Sequence, residues 1–223
     1  MSLPLIFSVL PAVAILAQAS PREIAQTAKE VTVRIENTRN PEQNGSGVIV
    51  AKNKREYSVL TASKLVGGDR RQYVIYTSDD NRHRVTNIEI LPMQLAILRF
   101  SSPIDYEIAP LAQGEMVATG QRIYVSGFPF PTGQMQQEYR FTDGKITNRL
   151  GNREQGYDLL YEAPTGNGML GSPIFNEQGR VIGIHTASNV KIGIMADGTA
   201  RIRIITNGAI TIQAFLDWQA SRK

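Results

Sequence analysis

The sequence predicts an all-β fold: two six-stranded antiparallel β-barrels flanked by short N-terminal and C-terminal helices. Three observations carry this. Short apolar or alternating runs of four to ten residues recur at fairly regular spacing along the chain. A stretch with two prolines and no period, residues 101–115, divides them into two sets. The chain has no cysteine among its 223 residues, so any closed shape must be held by its core and hydrogen bonds.

The first nineteen residues carry no charged side chain, and Leu3 to Ala17 is nearly continuously apolar. Ala17-Gln18-Ala19 has the small-X-small form of a cleavage site, so residues 1–19 read as a signal peptide and 20–223 as the mature domain. That implies export, to a periplasm, thylakoid lumen or exterior. No later run is long and apolar enough for a membrane span. Ser20-Pro21-Arg22-Glu23 is a helix start, with Ser as N-cap, Pro first and Glu third. The helix is predicted to end near Ala28. Six strands of a first barrel follow within residues 20–100: 31–35, 45–50, 57–62, 73–77, 83–91 and 95–100.

The second barrel, residues 116–205, repeats the pattern at 122–126, 138–147, 158–162, 173–175 and 181–186, with a pair at 192–195 and 199–205 joined by the hairpin signal Asp197-Gly198. The last segment, 206–223, reads as a helix from about Ala209 to Gln219, capped by Asn207 and burying Ile212, Phe215 and Leu216. Trp218 reads as packing against the barrel. The net charge is +4, but the basic residues sit in short loop clusters such as Lys52 to Arg55 and Arg82-His83-Arg84. Solvated turns explain these better than a nucleic-acid stripe. Asp79-Asp80-Asn81 reads as a turn, no cluster has metal-ligand spacing, and no cofactor motif is present. His83 reads as exposed and His185 as a core or cleft-edge histidine.

The stretch Thr165-Gly166-Asn167-Gly168-Met169-Leu170-Gly171-Ser172-Pro173 runs through Ile174-Phe175 and a polar turn to Val181-Ile182-Gly183-Ile184-His185. It resembles the nucleophile loop of trypsin-like serine peptidases, Gly-X-Ser-Gly-Gly-Pro. Gly45-Ser46-Gly47-Val48-Ile49-Val50, Val59-Leu60-Thr61-Ala62 and Leu95-Ala96-Ile97-Leu98 extend the likeness in the right order, with cyanobacterial trypsin-like domains the clearest match. The resemblance covers about Ser20 to Trp218. It implies a catalytic histidine in Leu-Thr-Ala-X-His, an aspartate before Leu-Ala-Val-Leu, and a serine three residues before the proline. Those positions hold Lys64, Gln94 and Leu170.

Leucine has no heteroatom, so no acyl-enzyme forms at 170. Lysine at 64 is a cation with no serine to activate, and Gln94 carries no charge to orient a base. Loss of the triad leaves roughly 10³–10⁴-fold rate over water, which is little for an amide bond. The resemblance therefore implies a pseudopeptidase without catalytic residues. Its cleft would persist, with the Gly168 and Leu170 amides forming an oxyanion-hole-like nest and Ser172 beside them. A peptide or protein partner is the expected ligand, taken by strand addition. Two alternatives stand beside this: an active endopeptidase with displaced residues, Ser172 the first suspect, and a structural subunit of a larger complex.

Overall fold

A capped helix leads the chain into its first sheet. The computed structural model describes residues 19–130, 137–151, 157–196 and 200–222, without the side chains of 189–196 and 200–205. The proposed signal segment (all but Ala19) and the Asp197-Gly198 turn lie outside the described residues. No helix among the described residues is long and apolar enough to cross a membrane.

Helix α1 spans Pro21–Val31. Its capping box is formed as the sequence indicates: the Glu23 amide donates to Ser20 Oγ at 3.3 Å and the Ser20 amide to Glu23 Oε2 at 2.8 Å. The helix continues three residues past Ala28 because Ile24, Ala28 and Val31 make one buried face, so stopping earlier would expose Val31. Thr32 closes it, its hydroxyl donating to Ala28 O at 2.6 Å and lying 2.8 Å from Ser126 Oγ in the second half of the chain.

The first half forms one sheet of β1 (Thr32–Asn37), β2 (Gly45–Asn53), β3 (Glu56–Ala62), β4 (Tyr73–Tyr76), β5 (Arg82–Arg84), β6 (Asn87–Ile90) and β7 (Leu95–Ser101), in the order β5-β4-β1-β2-β3-β7-β6. The single strand expected over 83–91 is two. β5 pairs with β4 and β6 with β7, so one bent run borders both ends of the sheet. The bend falls at Val85 and Thr86. Val85 is buried, while the Thr86 amide and hydroxyl both donate to Arg99 O, at 2.7 and 3.0 Å. Hence the first half shows seven ladder strands rather than the six of a regular closed barrel. His83 is likewise not an exposed loop residue. It lies on β5, half-buried, 4.6 Å from the Phe100 ring and within hydrogen-bond reach of Thr77 and Tyr106 hydroxyls.

The second half closes. β8 (Arg122–Gly127), β9 (Arg140–Arg149), β10 (Leu159–Glu162), β11 (Pro173–Phe175), β12 (Val181–Ala196) and β13 (Ala200–Thr211) form a six-stranded barrel in the order β10-β13-β12-β11-β8-β9. The runs expected at 181–186 and 192–195 are one long strand, β12. Helix α2 begins later than predicted, at Ile212–Ala220, and Asn207 does not cap it. Ala209 and Ile210 are fully buried and pair with His185 and Ile184, so the barrel claims them as strand. The Asn207 side chain instead accepts from Thr165 Oγ1 and donates to Ala163 O. Ile212 and Phe215 are buried, and Trp218 stacks on Phe215 with ring centroids 6.1 Å apart.

Strands β2, β3 and β7 are buried on both faces. Ile49, Val59, Leu98 and Phe100 fill the first sheet's interior. Their neighbours Val48, Leu60, Leu95 and Ile97 face the other way, into a core shared with α1 and with Ile123, Val125 and Ile174 of the second barrel. The period of two explains why these strands read as continuous apolar runs. Across the top, Arg222 after α2 pairs with Glu89 on β6 and lies over the Trp218 ring. Burial should therefore dominate how α2 holds the halves together. Phe215→Ala is expected to cost about 3–5 kcal/mol and Arg222→Ala less than about 1 kcal/mol, read as shifts in the urea unfolding midpoint.

Candidate functional site

Between the halves lies a cleft of about 730 Å³, bordered by Asn44, Lys64, Phe130, Gly168, Leu170 and Ser188 among others. Its floor is the segment 166–172, a run of tight turns. The Met169 amide donates to Gly166 O at 3.1 Å, Ser172 to Met169 O at 3.0 Å, and Gly171 to His185 O at 2.9 Å. Gly171 takes φ +86°, a conformation that L side chains avoid. A Cβ there would come within 2.0 Å of both Ser46 O and Thr61 Oγ1.

Ser46, on β2, fixes this floor to the first sheet. Its amide donates to Leu170 O at 2.8 Å and its hydroxyl to Gly168 O at 3.0 Å. The same hydroxyl accepts from the Phe128 amide at 2.9 Å, and Ser46 O accepts from Thr61 Oγ1 at 2.7 Å. The Gly168 and Leu170 carbonyls thus face β2. The Gly168 and Leu170 amides have no acceptor among the described residues. Ser46 and Thr61 were not identifiable as site residues from sequence; their one signal is the flanking Gly45 and Gly47, where a Cβ would strike Leu65 and Val59 at 2.6 Å.

Lys64 sits in a short 3₁₀ turn, Ser63–Leu65, at the end of β3, with its side chain exposed to the cleft. Gln94 stands directly behind that turn. Its carbonyl accepts from the Ser63 amide at 2.8 Å, and it holds φ +60° just before β7. Its Oε1 is buried without a partner among the described residues. Lys64 and Leu170 therefore share one cleft, and Gln94 backs it. Ser172 lies beneath the floor: its side chain is fully buried, its Oγ has no partner among the described residues, and it abuts Gly127.

The family model for the trypsin-like peptidase domain matches residues 45–184, more than half of the chain. The chain belongs to this trypsin-like peptidase family. Its structure is also similar to the crystal structure of the serine endoprotease from Yersinia pestis, with a TM-score of 0.68 at 18% identity, covering 92% of this chain and 67% of that one. At that identity the likeness concerns the fold.

This trypsin-like domain also places a histidine and a serine where sequence reading did not join them. His185 is fully buried at the cleft edge. Its Nδ1 lies 2.7 Å from Tyr161 OH and its Nε2 2.8 Å from Ser188 Oγ. Tyr161 is buried with no other hydroxyl partner among the described residues, and the Gly208 carbonyl is a further acceptor beside the ring. Burial pushes His185 down from 6.5 to about 4, with the Gly208 carbonyl opposing the shift. Burial pushes the Tyr161 phenol well above its usual range. Among the described residues no three His, Asp or Glu side chains converge as metal ligands.

Two outcomes follow. Between pH 6.5 and about 4 the unfolded chain binds a proton that the folded chain refuses at His185. Stability is intact above this window and falls as pH falls through it, by about 3 kcal/mol in all. His185→Gln should flatten that part of the stability–pH curve, measured by urea unfolding from pH 7 to 4. Gly171→Ala should cost at least about 2 kcal/mol, whereas Gly151→Ala, with nothing within 4 Å of its added methyl, should change the unfolding midpoint little.

Proposed function

We propose that this domain is a non-catalytic member of its family, an exported pseudopeptidase that holds a peptide or protein segment in its cleft. One observation carries the reading: the substituted residues are brought together rather than dispersed. Lys64 and Leu170 border the same cleft, with Gln94 one backbone hydrogen bond behind Lys64. An acyl transfer needs a nucleophile, a base and an orienting group at such a place. Leu170 offers no electron pair, Lys64 is a cation, and Gln94 has no charge. The walls meanwhile keep the features that bind a chain. β12 is paired with β11 only as far as Ile184, and past His185 no strand is hydrogen-bonded to its outer edge among the described residues. An extended segment can add there by backbone hydrogen bonds. Export rests on the apolar, uncharged N-terminal nineteen residues.

A second reading, a hydrolase with displaced residues, is favoured by one feature: Ser188 Oγ lies 2.8 Å from His185 Nε2. Two facts weigh against it. Burial disfavours the imidazolium that proton transfer would create, and no carboxylate contacts the ring among the described residues. Ser172, the earlier suspect, has its hydroxyl sealed under the floor.

The test compares the native chain with the triple variant Lys64→His, Gln94→Asp, Leu170→Ser. A fluorophosphonate probe should leave the native chain unlabelled. The triple variant should be labelled at position 170 and hydrolyse a generic protein substrate measurably. Stoichiometric labelling of native Ser188 or Ser172 would overturn the non-catalytic reading.

A further inference from the structure

The cleft is rich in hydrogen-bond donors that the protein itself leaves unused. The Gly168 and Leu170 amides lack acceptors among the described residues, while their carbonyls are turned to Ser46. Lys64 makes no ion pair among the described residues. Two backbone amides two residues apart, with an ammonium across from them in one cleft, make a seat for an anion.

We infer that this seat captures the free C-terminal carboxylate of a bound peptide. The inference rests on the non-catalytic reading above and names its ligand. An interior peptide carbonyl brings one oxygen and no charge, which would leave Lys64 unmatched. A carboxylate brings two oxygens, about four lone-pair sites and a full negative charge. The open edge of β12 past His185 decides between a chain end and an Asp or Glu side chain. A peptide paired along that edge presents main-chain groups to residues 168–170, and the main-chain group that is anionic is the terminus. Glu42 is the other charged side chain on the cleft wall. Its negative charge disfavours a second anionic group nearby, which selects a monoanion over a phosphate dianion. Leu170 adds an apolar floor where a reactive hydroxyl would otherwise stand, so a chain end arriving there is held rather than processed.

The test uses the full chain and two random hexapeptide libraries, one with free C-terminal carboxylates and one with C-terminal amides, read by mass spectrometry of retained peptides. The carboxylate library should be retained about tenfold better, the difference of a charge-assisted hydrogen-bond pair. Lys64→Gln should cut that preference to about threefold or less without changing the melting temperature, since Lys64 is exposed. Equal retention of both libraries, with loss of both in Leu170→Arg, would overturn the carboxylate inference and leave cleft binding standing. Enrichment of Asp or Glu in the retained amide library would assign the seat to a side chain and overturn the terminal assignment. Retention of neither library above the Leu170→Arg level would overturn both readings.

Discussion

A single buried serine on β2 holds the two halves of this protein in register. Every polar group of Ser46 is engaged: amide to Leu170, hydroxyl to Gly168 and from Phe128, carbonyl from Thr61. Three of these four partners belong to the second half. The turn at 166–172 is therefore not free to choose its own shape. It must present the Gly168 and Leu170 carbonyls to β2, and the Met169 and Gly171 amides on the same peptide planes turn to Gly166 O and His185 O inside the protein. Gly171 is obligatory because the β2 backbone approaches within the radius of a methyl group. The cleft's geometry is thus a property of packing between halves, and none of it needs a catalytic side chain.

That separation lets the fold persist whatever side chains stand at Lys64, Gln94 and Leu170. The shared core of Val48, Leu60, Leu95, Ile97, Ile123, Val125 and Ile174 sits under the cleft and is indifferent to what lines it. Lys64 is solvated, and Leu170 is half-buried against its own turn. Of these three, Gln94 alone carries a cost, a buried amide oxygen without a partner among the described residues, on a left-handed backbone. An unsatisfied buried acceptor of this kind costs roughly 1–3 kcal/mol.

Much of this was legible in the sequence, for identifiable reasons. β2, β3 and β7 are buried on both faces, so their apolar runs are unmistakable, and Lys64 and Leu170, far apart in sequence, border one cleft. The capping box at Ser20 and Glu23 is a local device and read true. What failed depended on distant partners. The run 83–91 keeps an apolar pattern straight through its bend, because Val85 is buried at the bend itself and Ile88 follows it; only the divergent pairing with β4 and β7 reveals the break. Asn207 has the chemistry of a helix cap, but Thr165 and Ala163, over forty residues away in sequence, claim its amide. Ser188 and His185 are three residues apart, and nothing local announces that Tyr161, 24 residues upstream, meets the other ring nitrogen.

The joints between the halves span long stretches of sequence. Thr32 waits 94 residues for Ser126, and Glu89 waits 133 residues for Arg222. A ribosome adding 5–20 residues per second needs on the order of ten seconds to supply the later member of the longer pair. For that interval Glu89 has only Arg99 and Thr32 only the Ala28 carbonyl. The first sheet has an interior of its own meanwhile, so synthesis order leaves the joints between the halves, and not the sheet, waiting on later residues.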